Sequence, residues 1–168
     1  MTTWYEFCLP TEIKNIEIIT SGLGVVKIDS FNFEHFKIKI QQSITNLNSE
    51  INWPDSWNIT EAEQRLNTNH ILYLFFKNNQ PIGHVWYIGE YLYNAFVSNT
   101  RNEGESQWFI QQTMKDVFSN GYSTITLYTE NWNKRAMQFW EKLGYTIINK
   151  TNLIEYGRES IHETQGND

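Results

Sequence analysis

The order of segments predicts an α+β fold, a sheet covered by helices on both faces. Three observations carry this. Residues 70–97 hold three apolar, strand-like runs divided by turn-rich connections, the mark of an antiparallel meander. Residues 104–156 then alternate helix-like and strand-like segments. Within them Ala136, Phe139, Trp140 and Leu143 fall at i, i+3, i+4 and i+7, one apolar stripe on a helix, and Gly144 follows as a left-handed stop before Tyr145 resumes an extended run.

Taken in order, residues 16–20 and 24–28 are apolar runs broken by Ser21-Gly22-Leu23-Gly24, which predicts two short strands joined by a glycine turn. Residues 31–44 can be read two ways. Phe36, Ile38 and Ile40 alternate as in a strand, while Phe33, Phe36, Ile40 and Ile44 share a helical face; length favours the helix. Asn52-Trp53-Pro54-Asp55 is a turn. Thr60-Glu61-Ala62-Glu63 has the form of a capping box, in which the Thr60 hydroxyl and the Glu63 carboxylate satisfy amides of a short helix to about Leu66. Residues 70–76 and 82–88 flank Asn78-Asn79-Gln80-Pro81 and read as a hairpin, with 91–97 as a third strand. A long helix over 104–118 turns Ile110, Met114, Val117 and Phe118 inward, and Asn120-Gly121 closes it. A strand over 123–128, the helix described above, and a hairpin of 146–149 with 152–156 complete a single domain, residues 1–158, followed by a polar, fraying tail over 159–168.

Composition narrows the classes of function. The chain has 168 residues, enough for one core but hard to divide between two. With 40% hydrophobic residues, among them 7 Trp, 9 Tyr and 10 Phe, it is neither disordered nor fibrous. No run approaches the roughly 18 apolar residues of a spanning helix, and the start lacks the basic end and apolar stretch of a signal peptide. The expectation is a cytoplasmic protein with no membrane partner. Cys8 is the sole cysteine, which excludes an intrachain disulfide and a multi-thiolate metal site. His35, His70, His84 and His162 show no ligand spacing, so no metal is expected. A formal charge of −6 disfavours a nucleic-acid surface and suits a small or cationic acceptor.

The chemistry concentrates in two segments. In Ala95-Phe-Val-Ser-Asn-Thr-Arg101-Asn-Glu-Gly104-Glu-Ser106 a strand passes to a helix through a loop with small residues at Gly104 and Ser106. Unpaired amides at such a helix start, with about half a positive charge from the macrodipole, favour a phosphate by about 0.3 to 2 kcal/mol. Arg101 could add a charge-assisted bond to a phosphate oxygen. The same features also describe an ordinary capped helix whose glycine serves the turn. The second segment is the stretch from Thr126 to Tyr145, which joins a short strand to the amphipathic helix that ends on Gly144.

Together they carry a resemblance. Arg101-x-x-Gly104-x-Ser106, then a helix, a strand and Asn133-x-x-Ala136-x-x-Phe139-Trp140-x-x-x-Gly144-Tyr145, resemble the GNAT superfamily of acyl-CoA-dependent N-acetyltransferases over about residues 71–156. The first motif is similar to that family's pyrophosphate loop, the second to its helix motif. The resemblance implies a mixed, mostly antiparallel central sheet with helices on both faces and a splayed strand pair, 91–97 parting from 123–128. It implies acetyl-CoA or another acyl-CoA as co-substrate and no metal. The pantetheine arm would pair with backbone near Phe96 and Val97. The pyrophosphate would sit beside Arg101 on the amides of Asn102, Glu103, Gly104, Glu105 and Ser106. Asn133, Ala136 and Trp140 would border the cofactor from the motif helix. A primary amine of a small molecule would attack the thioester directly, and a backbone amide of the splayed strand would stabilise the oxyanion. An exposed edge at 71–76 or 146–149 could join two subunits as a homodimer.

The sequence departs from the family pattern at three places. Where the family carries a tyrosine proposed to protonate the leaving thiolate, this chain has Trp140, whose indole is no acid near neutral pH. Tyr128 is the substitute candidate, and its position equally suits a packing tyrosine with a wet hydroxyl. Glu103 and Glu105 make the loop acidic. A carboxylate about 6 Å from a phosphate costs on the order of 3 kcal/mol at an effective dielectric of about 20, and both are expected to face solvent, where screening removes most of that cost. Glu90 is the candidate base for the ammonium proton and equally a solvated turn residue after Gly89. His84 is expected to be structural. Trp53, Trp57 and Trp86 offer an aromatic surface for an acceptor or pack in the core. The alternative to an enzyme is a GNAT-like acyl-CoA-binding or regulatory domain without turnover.

Overall fold

A computed structural model describes residues 3–10, 22–51, 58–66, 68–98 and 104–152. Among them the chain runs β1 (Thr3–Pro10), β2 (Leu23–Ile28), α1 (Phe33–Ile51), α2 (Ile59–Arg65), β3 (His70–Lys77), β4 (Gln80–Ile88), β5 (Tyr91–Val97), α3 (Glu105–Ser119), β6 (Thr124–Glu130), α4 (Lys134–Lys142) and β7 (Thr146–Asn152). The strands form one sheet in the order β2-β3-β4-β5-β6-β1-β7. Each adjacent pair is antiparallel except β5 and β6, which are parallel.

Strand alternation divides the core in two. On β3, Tyr73 and Phe75 pack with Val85, Tyr87 and Leu92 against Phe109, Ile110, Met114 and Val117 of α3 and Trp140 of α4. Leu72 and Leu74 face the other way, packing with Trp86 against Ile40 and Ile44 of α1 and Ala62 of α2. A side chain of this kind contributes about 1.5–3 kcal/mol when fully buried, so both faces of the sheet need their helices. The α+β class with helices on both faces is therefore as expected. Ile38 decides the ambiguous segment in favour of helix. It is 84% exposed while Ile40 is fully buried, which α1 allows and a one-faced strand containing both does not.

Several boundaries differ from expectation. α2 is capped by Asn58, whose Oδ1 accepts from the Glu61 amide at 2.9 Å. Thr60 lies inside the helix, so the expected capping box is displaced by a stronger cap two residues upstream. β1, unforeseen in the sequence, slots between β6 and β7. The expected strand at 16–20 and the tail at 159–168 lie outside the described residues. β7 runs unbroken to Asn152, so the hairpin expected between 149 and 152 does not form there. Residues 71–76 are covered by β2 and are no edge; the outer strands are β2 and β7. No described helix is long and apolar enough to cross a membrane.

The hairpin of β3 and β4 turns on Asn78 and Asn79, both at positive φ, with Lys77 opposite Gln80. This is the primed two-residue geometry that asparagine tolerates and that matches strand twist. The next strand contains the feature that shapes the site. Leu92 lies opposite Tyr87 and Asn94 opposite Trp86, so Tyr93 is an extra residue, a bulge in β5. The ladder to β6 consists of Tyr91 with Thr126 and Leu92 with Leu127 and ends there. A bulge bends its strand and raises the local twist, and β5 leaves β6 where the bulge begins.

Candidate active site

The wedge between β5 and β6 opens into a cavity of about 310 Å³. Leu47, Glu50 and Ile51 from the end of α1 line it on one face of the sheet. Ser106 and Ile110 of α3, with Ala136, Phe139 and Trp140 of α4, line it on the other. Its middle is walled by Leu92 to Val97 of β5 and Leu127 to Glu130 of β6. The cavity therefore passes through the sheet, joining the α1/α2 face to the α3/α4 face. A donor could enter from one side and an acceptor from the other.

On the α3 side, Gly104 holds φ 81° as the N-cap residue, a left-handed conformation in which a side chain would be strained. Ser106, in the first turn, borders the cavity, and its buried Oγ has no hydrogen-bond partner among the described residues. A polar atom left so at a helix N-terminus suits an anionic group such as the phosphates of acetyl-CoA. Arg101, Asn102 and Glu103 lie outside the described residues. Glu105 corrects the expectation of a solvent-facing carboxylate: it is buried and paired with Lys77 Nζ of β3 at 3.1 Å, on both oxygens. The ammonium offsets the charge that would otherwise repel a phosphate.

The α4 stripe serves two purposes. Leu143 and Trp140 enter the core, Trp140 edge-on to Tyr145 at 5.5 Å, while Ala136 and Phe139 face the cavity. Asn133 caps α4, its Oδ1 accepting from the Ala136 amide at 3.1 Å, and borders the same space. Phe96 and Val97 lie on β5 beyond the parting, along the cavity wall. The structure thus brings Phe96, Val97, Ser106, Asn133, Ala136 and Trp140 together around one space.

Of the two residues expected to be catalytic, Tyr128 borders the cavity and Glu90 does not. Tyr128 lines the cavity and stands edge-on to Tyr91 at 5.7 Å. Ile125 and Leu127 belong to the α3/α4 core, so alternation turns Tyr128 and Glu130 toward the α1 face. Glu90 does not line the cavity. It is an exposed residue of the β4–β5 turn, at the closed end where its carbonyl accepts from the Thr126 amide, and the parallel ladder separates it from the opening. We therefore remove it as the base. Of the two readings open for Trp86, the core one holds: it is fully buried and donates Nε1 to His70 at 2.9 Å, so it offers no surface to an acceptor. Trp53 and Trp57 lie outside the described residues.

Other residues at the cavity carried no local signal in the sequence. Glu50 ends α1 and accepts a 2.6 Å bond from the Ser98 hydroxyl, tying the helix to the end of β5. Glu130 is a buried carboxylate beside the opening. Asn94 follows the bulge, 6% exposed. Its Oδ1 lies 2.9 Å from His84 Nε2, and His84 Nδ1 lies 2.8 Å from Ser43 Oγ. Because a carboxamide oxygen only accepts, Nε2 carries the proton, Nδ1 accepts, and the serine hydroxyl donates. Burial pushes the imidazole down to about 4, against which the Asn94 bond acts only partly. His84 is thus structural, as expected, and neutral near pH 7.

No curated protein matches the chain. Solved structures do, at identities that speak to fold alone. An aminoglycoside acetyltransferase from an uncultured soil metagenomic sample, in complex with trehalose, aligns with a TM-score of 0.64 and 15% identity over 80% of this chain and 95% of that one. The ribosomal-protein-alanine N-acetyltransferase of Brucella melitensis biovar Abortus 2308 gives 0.61 and 11% over 80% and 99%. AAC(6')-Iy in complex with the bisubstrate analogue CoA-S-monomethyl-acetylneamine gives 0.56 and 16% over 82% and 98%. The model of the acetyltransferase (GNAT) family matches residues 39–145, more than half of the chain and including both motifs. With the parted strands and the cavity between them, this match establishes that the chain belongs to the acetyltransferase (GNAT) family and is an N-acetyltransferase of that type.

Proposed function

We propose that the chain moves an acetyl group from acetyl-CoA to a primary amine of a small molecule, by direct attack of the amine on the thioester. The cavity that pierces the sheet where β5 leaves β6 carries this reading, because it gives two reactants separate approaches to one point. The α3 side would hold the donor. The backbone amides over 104–106 and the Ser106 hydroxyl would receive phosphate, with Arg101, Asn102 and Glu103 in the adjoining loop. Phe96 and Val97 would flank the pantetheine arm, and Asn133, Ala136 and Trp140 would close its other side. The α1 side would hold the acceptor. Glu50 and Glu130 border it, and carboxylates favour an ammonium over a neutral or anionic molecule. The aminoglycoside acetyltransferases among the similar structures make a polycationic amino sugar a fitting first acceptor to try.

Near neutral pH an amine is mostly protonated, so it must release a proton before attack, and Glu50 or Glu130 could take it directly or through water. Tyr128, on the acceptor face of β6, would return a proton to the departing thiolate in place of the tyrosine that Trp140 replaces; its position on the cavity wall supports this. The test is thiol release from acetyl-CoA with aminoglycosides, polyamines and amino acids, repeated with Tyr128→Phe. We expect saturable release with at least one polycationic amine, and a fall of about 10²-fold or more in Tyr128→Phe if it is the acid. Unchanged rates in the variant would strike Tyr128 from the mechanism. Absence of CoA binding at millimolar concentration would refute the acyl-CoA reading itself.

A further inference from the structure

The Asn94 carboxamide is placed unlike any other polar group at the cavity. It is more than nine-tenths buried, it borders the opening one residue past the bulge, and its one hydrogen bond among the described residues runs from His84 to Oδ1. Nδ2 has no partner among the described residues. With Oδ1 accepting from His84, the unused donor of the carboxamide is its Nδ2–H. His84 is fully buried and is held in turn by Ser43 of α1, so helix, central strand and bulged strand together set the direction of one donor. A fixed N–H donor repels an ammonium and suits an oxygen that gains negative charge.

From this we infer that Asn94 is a side-chain donor of the oxyanion hole, held in place by His84 and Ser43. The inference rests on the acyl-transfer reading above. As the amine nitrogen forms its bond to the carbonyl carbon, the C=O π pair moves onto oxygen, where Asn94 Nδ2–H meets it. Collapse restores the C=O bond and breaks C–S. The electron pair leaves with sulfur, the thiolate takes up a proton, and the new ammonium loses one to water or a carboxylate. Asn94 is a catalytic residue, since it touches the reacting oxygen; His84 and Ser43 are positioning residues. Buried donors in a rigid frame cost no reorganisation during the reaction, which makes a side chain worth fixing through two others.

The experiment pairs kinetics with a spectroscopic probe. Asn94→Ala is expected to lower kcat by about 10²- to 10³-fold while the KM for acetyl-CoA stays within about threefold. Asn94→Asp, which puts an anion where the donor was, should be at least as slow. His84→Gln can still donate to Oδ1 and should recover most of the rate, whereas His84→Leu frees the carboxamide and should lose tenfold or more. The probe is a carba analogue of acetyl-CoA, with methylene in place of sulfur and ¹³C at the carbonyl. In wild type its bound carbonyl resonance should move downfield, and in Asn94→Ala and His84→Leu that displacement should shrink. Equal displacement in wild type and Asn94→Ala, or kcat of Asn94→Asp above that of Asn94→Ala, overturns the role of Asn94 and leaves acyl transfer standing. Failure of the analogue to bind wild type would instead remove the acyl-CoA reading and this inference with it.

Discussion

Protonating His84 should unfold this protein from the inside. The imidazole is fully buried between Ser43 and Asn94, and both its nitrogens are engaged. In the folded chain it titrates at about 4, and in the unfolded chain near 6.5. The folded state therefore resists a proton that the unfolded state accepts. Between those values the unfolded chain binds more protons, so stability falls as pH falls. The contribution is fully present above about pH 6.5, declines toward pH 4 and is exhausted below it, a loss of about 3 kcal/mol from end to end. Urea unfolding at about pH 7 and about pH 4.5, for wild type and His84→Gln, isolates this group because carboxylates shared by the two proteins cancel. Wild type should lose about 2 to 3 kcal/mol more than the variant over that interval. Parallel pH dependences would refute the argument and mean that the site is hydrated or that acid opens it locally.

Two further predictions concern the frame of the cavity. A Cβ at Gly83 would lie 2.2 Å from the Phe96 carbonyl oxygen and 3.0 Å from Val97 Cα, so Gly83→Ala must push the open end of β5 away from β4. It should cost about 1–3 kcal/mol in denaturant unfolding and weaken CoA binding together with it; wild-type values for both would show that the strand yields freely. Lys77→Met takes the Lys77 ammonium away from the buried Glu105 carboxylate at the α3 N-terminus. We expect a loss of about 3 kcal/mol by thermal or urea unfolding, largely recovered in the double variant Lys77→Met, Glu105→Gln, and no recovery would show that the pair contributes packing rather than charge compensation.

The elements legible in the sequence were those specified locally. α4 announces itself because Ala136, Phe139, Trp140 and Leu143 share a face and Gly144, at φ 97°, ends it. β3, β4, β5 and α3 follow from runs of apolar residues and from Asn78-Asn79 and Gly121 at positive φ. β1 was not legible, because its role is to bridge β6 and β7, both more than a hundred residues away, and nothing in residues 3–10 encodes that address. The displaced cap of α2 shows the same limit at short range, since Asn58 and Thr60 are both good caps and it is Asn58 whose side chain accepts from the Glu61 amide.

The site divides in the same way. Asn133, Gly104, Ser106 and Trp140 could be read because backbone geometry at helix ends demands particular residues at particular spacings, and those demands are local. Glu90 and Tyr128 looked alike as candidates in the sequence. The parallel ladder separated them: it closes the wedge at Glu90 and leaves it open beyond Leu127, toward Tyr128. Glu105 was expected in water and is buried against Lys77, because β3 approaches the start of α3 only in the folded chain. Asn94, His84 and Ser43 come from three different elements, and their hydrogen bonds exist only when α1 lies across the bulge. What residues could form was written in the order of amino acids. Which of them meet at the parted strands was decided by long-range burial, since a hydrogen bond between distant segments forms only after hydrophobic packing has brought them together.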